Sequence, residues 1–156
     1  MGVLTGCTSD ESLTYQSDYS SHRPLRVVGY PSTGSLRTVQ EAVWRLADGD
    51  VEGLAALAVD DDTHATSTAR NWVRAFGSAA QGDVTADFYD DGLVRQVVVL
   101  YFARSGLTKE IEVRVGEVGT WGLTLAEPDP ADATVTPTWA PPTPGGSGSR
   151  TSGAPS

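Results

Sequence analysis

From Ser35 onward the apolar positions recur at helical spacing: Leu36, Val39, Val43, Leu46 and Ala47 follow one another at intervals of 3, 4, 3 and 1. Ser35 stands where an N-cap is expected. Arg37, Thr38, Glu41 and Arg45 take the opposite face, with Trp44 at the border. Asp48-Gly49-Asp50 then supplies a stop and a new cap. Val51, Leu54, Ala55 and Ala58 form the apolar side of a second, short helix. After Asp60-Asp61-Asp62-Thr63 a third helix is predicted to run to about Ala80, burying Ala65, Ala69, Trp72, Val73, Phe76 and Ala80. The acids ahead of it complement the positive end of its dipole.

At Gly82 the period changes to two. Val84, Ala86 and Phe88 alternate with Thr85, Asp87 and Tyr89, and Asp90-Asp91-Gly92 is a hairpin signal. Leu93 to Arg104 is apolar on both faces, as a central strand should be. Ser105-Gly106 turns the chain, after which Leu107, Lys109, Ile111, Val113 and Val115 alternate with Thr108, Glu110, Glu112 and Arg114. Glycines 116, 119 and 122 bracket a last strand that carries Trp121, Leu123 and Leu125 on one side. Helices first and a four-stranded antiparallel meander afterwards make an α+β domain over residues 35–127.

The flanks read differently. Residues 1–34 are rich in Ser, Thr and Tyr and close on the breaker cluster Pro31-Ser32-Thr33-Gly34, which predicts a flexible tether. Residues 128–156 hold seven of the nine prolines among Gly, Ser and Thr. Such a tail buries too little apolar surface to offset its ordering entropy, so it is predicted to be disordered. The net charge of −9 divides as −1, −7 and −1 over the three zones, which places the acidity on the folded part. Nucleic acid is excluded as a partner because phosphate contacts need a basic face. Ten of the eleven basic residues are Arg, in keeping with a GC-rich, actinobacterial-type coding sequence.

The single cysteine rules out an intrachain disulfide. Leu4-Thr5-Gly6-Cys7 resembles the lipobox of bacterial lipoproteins, in which small residues let a peptidase reach the bond before a cysteine that carries lipid. Thr8-Ser9-Asp10 suits a solvated tether behind it. Six residues before Cys7 are too few for a charged and apolar leader, so the resemblance implies a start upstream of Met1. It also implies attachment to the outer face of the cytoplasmic membrane through lipid on Cys7. If Met1 is the true start, the expectation is a cytoplasmic protein.

The order helix, Val43-Trp44-Arg45-Leu46-Ala47-Asp48-Gly49-Asp50, short helix, Trp-bearing helix and meander is similar to the nuclear transport factor 2-like (cystatin-like) superfamily. That resemblance implies a cone: a curved four-stranded sheet wrapped around the helices, with a pocket between them. Relatives include isomerases, dehydratases and epoxide hydrolases as well as modules that only bind, and the fold alone does not choose among them.

Candidate chemistry is sparse. His64 beside Asp60, Asp61 and Asp62 lacks the spacing and glycine of a calcium loop, so an acidic helix cap is the reading, with no metal and no cofactor. Asp87 and Tyr89 share a strand face, with Tyr101 and Arg104 on the next strand. A buried carboxylate base beside a phenol donor matches proton abstraction next to a carbonyl. Proximity to the Asp90-Asp91-Gly92 turn makes exposure of Asp87 the default. Trp44, Trp72, Phe76, Phe88, Tyr101 and Trp121 are candidates to line an apolar pocket or to fill the core. Thr108, Glu110, Glu112 and Arg114 read as a solvated sheet face, and Pro141-Pro142-Thr143-Pro144 as a spacer. His22, in the tether, and His64 leave no triad, and no Gly-x-Ser-x-Gly elbow exists. Lys109 is the only lysine.

The expected function is therefore a non-catalytic envelope lipoprotein that binds a partner protein or an apolar small molecule. The alternatives are a soluble enzyme or ligand binder of the same fold using Asp87, Tyr89 or Tyr101, and a dimeric scaffold packing its open sheet face on a second copy.

Overall fold

A computed structural model describes residues 21–59, 63–90 and 93–144. In chain order the elements are β1 (Arg26–Val28), α1 (Thr33–Asp48), α2 (Val51–Ala55), α3 (Ala65–Phe76), a 3-10 turn (Ala79–Gln81), β2 (Val84–Asp90), β3 (Arg95–Phe102), β4 (Leu107–Val115), β5 (Trp121–Leu123) and α4 (Pro130–Ala133). The molecule is α+β, as the change of period at Gly82 predicts.

The first helix begins earlier than Ser35. Ser32 is its N-cap: Ser32 Oγ accepts from the Ser35 backbone N at 3.0 Å, and Ser35 Oγ accepts from the Ser32 backbone N at 3.0 Å. This reciprocal pair satisfies two free N–H groups, so the helix nucleates inside the predicted breaker cluster. Gly34 sits within its first turn because a Cβ there would lie 2.2 Å from Trp121 Cδ1. Gly49, in the left-handed region at φ 69°, ends the helix, and Asp50 caps α2 by accepting from Gly53 N at 2.8 Å. The third helix stops at Phe76, short of the expected Ala80, and a 3-10 turn carries the chain to β2. Its predicted acidic cap, residues 60–62, lies outside the described residues.

Four strands form the predicted meander, and a fifth joins them. The order is β1-β2-β3-β4-β5, with β1 parallel to β2 and the other pairs antiparallel. The sheet is thus mixed and open rather than a four-stranded antiparallel one. The fifth strand comes from the segment read as tether. Residues 22–28 are held because they cover α1: Trp44 Nε1 donates to Arg23 O at 3.1 Å, and Leu25 N donates to Gln40 Oε1 at 3.1 Å. His22 stacks on Trp44 at 5.2 Å, its Nε2 2.9 Å from Asp48 Oδ1.

One face of the sheet meets the helices. Val84, Ala86 and Phe88 of β2, Val98, Leu100 and Phe102 of β3, and Ile111 and Val113 of β4 pack with Val39, Val43, Leu46, Leu54, Ala69, Trp72 and Phe76 in one core. The other edge of the sheet is closed by the chain leaving α2. Val59 N donates to Leu123 O and Leu123 N to Leu57 O, both at 2.8 Å. Gly122 permits that approach, since a Cβ there would stand 2.4 Å from Val59 Cα. Gly122→Ala is therefore expected to destabilise the protein by about 2–3 kcal/mol, because backbone cannot yield as a side chain tip can. Urea unfolding checks it; a change below about 0.5 kcal/mol would show that the 57–59 segment does not depend on this contact.

The tail departs most from expectation. Residues 128–144 pack on the domain rather than standing off it. Asp129 caps α4 by accepting from Ala131 N at 2.9 Å, and Ala133 is fully buried. Beyond it Trp139 meets Tyr89 edge-on at 4.9 Å, and Pro141 O accepts from Tyr101 Oη at 2.8 Å. Proline and alanine contribute little side-chain entropy to lose, so a few anchors suffice to hold the segment.

Candidate functional site

The sheet is incomplete at one place. β5 pairs with β4 only over Val113–Val115, and Thr124 N adds one bond to Glu112 O at 3.0 Å before the chain turns away. Residues 109–112 of β4 therefore border a pocket of about 280 Å³, lined on its other sides by Trp72 of α3 and by residues of the 124–137 segment. Its floor is Trp72 and Ile111 and its rim carries Glu110, Glu112, Glu127 and Asp132, with Val135 and Pro137 along the tail side.

Lys109 organises this region. Its parity on β4 matches that of Ile111 and Val113, so the side chain points inward and is 3% exposed. The ammonium lies 2.6 Å from Glu127 Oε1 and 4.8 Å from the centre of the Trp72 ring. The indole N–H of Trp72 donates to the same carboxylate oxygen at 2.9 Å. Glu127 is itself fixed by α3: its backbone N donates to Thr68 Oγ1 at 2.9 Å, and Asn71 Nδ2 donates to Pro128 O at 2.9 Å. Thr68, Asn71 and Trp72 stand at i, i+3 and i+4, one face of the helix. A charge-assisted bond and a cation–π contact together offset the desolvation of the lysine. The result is a rigid wall of mixed apolar and charged character, suited to recognition.

Neither Lys109 nor Glu127 was singled out by motif. The signal was present, however: the only lysine of the chain falls in the apolar register of a strand. A charge in that register needs a partner, and Glu127 lies too far along the chain for spacing to reveal it.

On the opposite sheet face, Asp87 is buried rather than exposed, beside Tyr89, whose ring meets Trp139 of the tail. Tyr89 Oη donates to Asp87 Oδ2 at 3.1 Å. Tyr101, across the strand pair at the register of Thr85, donates to Pro141 O, while Arg104 lies beyond β3 and donates to Ser78 O at 3.2 Å. Asp87, Tyr89 and Tyr101 thus share the face turned away from the helices and do not line the pocket beside β4. The polar face of β4 is half-buried rather than fully solvated. Trp139 Nε1 donates to Glu110 Oε1 at 2.9 Å, and Arg95 Nη2 donates to Glu112 Oε1 at 3.0 Å. That hydrogen bond to Glu112 holds the Arg95 guanidinium above its ordinary range, against the opposing desolvation.

The six candidate aromatics do not converge on one cavity. Trp72 floors the pocket at β4, and Trp121 lines a wider groove of about 650 Å³ with Gly34, Arg37 and Leu57. Phe76 and Phe88 fill the core, Trp44 lies under the residue 22–25 segment, and Tyr101 lies under the tail. His64 stands at the N-cap position of α3 without a side-chain cap bond, and no metal-holding group of three His, Cys, Asp or Glu exists among the described residues. Cys7 and the lipobox-like residues lie outside the described residues, as do Asp60, Asp61 and Asp62. No described helix is long and apolar enough to cross a membrane. No protein-family profile, curated protein or solved structure matches the chain.

Proposed function

We propose that this protein is a non-catalytic binding module of the nuclear transport factor 2-like type, held at the outer face of the cytoplasmic membrane by lipid on Cys7. The pocket beside β4 is its recognition site, for a partner protein or an apolar small molecule. The observation that carries the binding reading is that pocket: an indole and an aliphatic floor beneath a charged rim, with its one ammonium committed to Glu127 and Trp72. Pockets that bind commonly combine an apolar lining with a few placed polar groups. Three helices on one face of a meander support the superfamily reading, and Leu4-Thr5-Gly6-Cys7 supports the anchor.

A soluble enzyme with Asp87 as base is the second reading, and burial of Asp87 beside the Tyr89 hydroxyl favours it. Against it stands the position of that pair under the tail, on the face away from the helices. A scaffold function would use a flat apolar sheet face. The strongly exposed apolar residues Tyr30, Leu93 and Val118 stand instead in the connections between elements.

The test is the intact mass of the native protein recovered from the membrane fraction of its source cells. A chain beginning at Cys7 and carrying thioether-linked diacylglycerol is the expected result. An unmodified chain beginning at Met1 in the soluble fraction would overturn the anchor and move attention to Asp87.

A further inference from the structure

We infer that the pocket beside β4 takes an extended segment of a partner protein that alternates apolar and basic side chains, added as a strand to the open edge of β4. This deepens the binding reading above and rests on it.

Two backbone bonds determine which groups face the edge. Val115 N donates to Val94 O on the β3 side, while Glu112 O accepts from Thr124 N on the β5 side. Backbone groups alternate sides along an antiparallel strand, so residues of even number on β4 point their N–H and C=O away from β3. For Arg114 and Glu112 that side is occupied by β5 and Thr124. For Glu110 it opens into the pocket, with Thr108 next along the same edge, and no strand lies along either among the described residues. An open edge of this kind is a template for a further strand.

The side chains set the sequence that fits. On an added strand, residues turned to the helix side meet Ile111 and the Trp72–Lys109–Glu127 group, whose charges are already paired with each other, so apolar groups fit there. Residues turned the other way meet Glu110 and Glu112, with Asp132 at the rim. Arg95 already serves Glu112 and Lys109 already serves Glu127, so the pocket keeps a negative balance. Basic side chains at every second position answer it.

The experiment uses the full chain without lipid, so its outcome is independent of the fate of Cys7. The probe is a blocked hexapeptide of alternating valine and lysine, titrated in amide-resolved NMR with hydrogen exchange. Saturable binding is expected, with exchange at the Thr108 and Glu110 amides slowed about tenfold or more at saturation. The same peptide N-methylated at alternate amides should not bind, and a valine–glutamate version should bind at least about tenfold more weakly. Absence of saturable binding at roughly millimolar peptide would overturn the inference. So would binding that leaves Thr108 and Glu110 exchange unchanged, or equal binding of the glutamate peptide. A negative titration together with a lipidated native mass would remove this occupant and leave the anchored-module reading standing. A positive one with an unlipidated mass would do the reverse.

Discussion

Replacing Lys109 with alanine is expected to destabilise the domain by about 2–3 kcal/mol, read from urea unfolding. The lysine side chain is 4% exposed and that of Glu127 is 33% exposed, so the carboxylate is partly screened by water. This puts the figure below the usual cost of breaking a fully buried pair. What is lost is more than a Coulomb term. Trp72 loses the cation over its ring, and Glu127, fixed by Thr68 and by the indole N–H, is left charged beside an empty space. Glu127→Gln should cost less, about 1–2 kcal/mol, because the amide oxygen still accepts from Trp72 and Lys109. Combining Lys109→Ala with Glu127→Gln should recover stability relative to the sum of the two single changes, with a coupling of about 1–2 kcal/mol. Additive effects within about 0.3 kcal/mol would show that the pair is not a unit.

A larger loss is expected at Phe76. Its ring is 1% exposed and stacks on Phe102 at a centroid distance of 5.1 Å, where the end of α3 meets β3. Phe76→Ala removes that contact and leaves a cavity that neither the helix nor the strand can close alone, at a cost of about 3–5 kcal/mol. Phe76→Leu keeps much of the volume and should cost about 1.5 kcal/mol. Thermal or urea unfolding of both variants checks the ordering. Equal stabilities would mean that the aromatic pair contributes no more than its shared aliphatic volume.

The two predictions rest on features of different legibility. Phe76 was readable: it follows Ala65, Ala69 and Trp72 at helical spacing, and a helix of that period must bury that stripe. The Lys109–Glu127 pair was half readable, since the odd lysine in an apolar register stood out while its partner did not. Burial of Asp87 was not readable at all. Its position beside a hairpin turn argues for solvent, whereas in the fold it is buried on a face where residues 139–141 return over Tyr89 and Tyr101. Ser35 is the N-cap the sequence suggests, because the helical apolar spacing begins directly after it at Leu36. The structure starts the helix at Ser32 through a reciprocal bond with Ser35, and Gly34 between them leaves room for Trp121, some ninety residues later.

Local physics was thus enough to determine the class. The change from helical to alternating spacing at Gly82, the Asp-Gly-Asp break, and the strand periods are properties of neighbouring residues, and they specify three helices and a four-stranded meander. Tertiary structure alone decided what lies on either side of that frame. The fifth strand, the clasp of residues 22–25 over Trp44 and the packing of the Pro-rich segment over Tyr89 and Tyr101 use low-complexity sequence whose own pattern carries no period. Those segments are ordered by surfaces supplied from elsewhere in the chain. The same is true of the pocket beside β4, which exists because β5 leaves the sheet at Thr124 and residues 124–137 return alongside without closing the gap. Periodicity reports which face of an element is buried; only the fold determines what it is buried against.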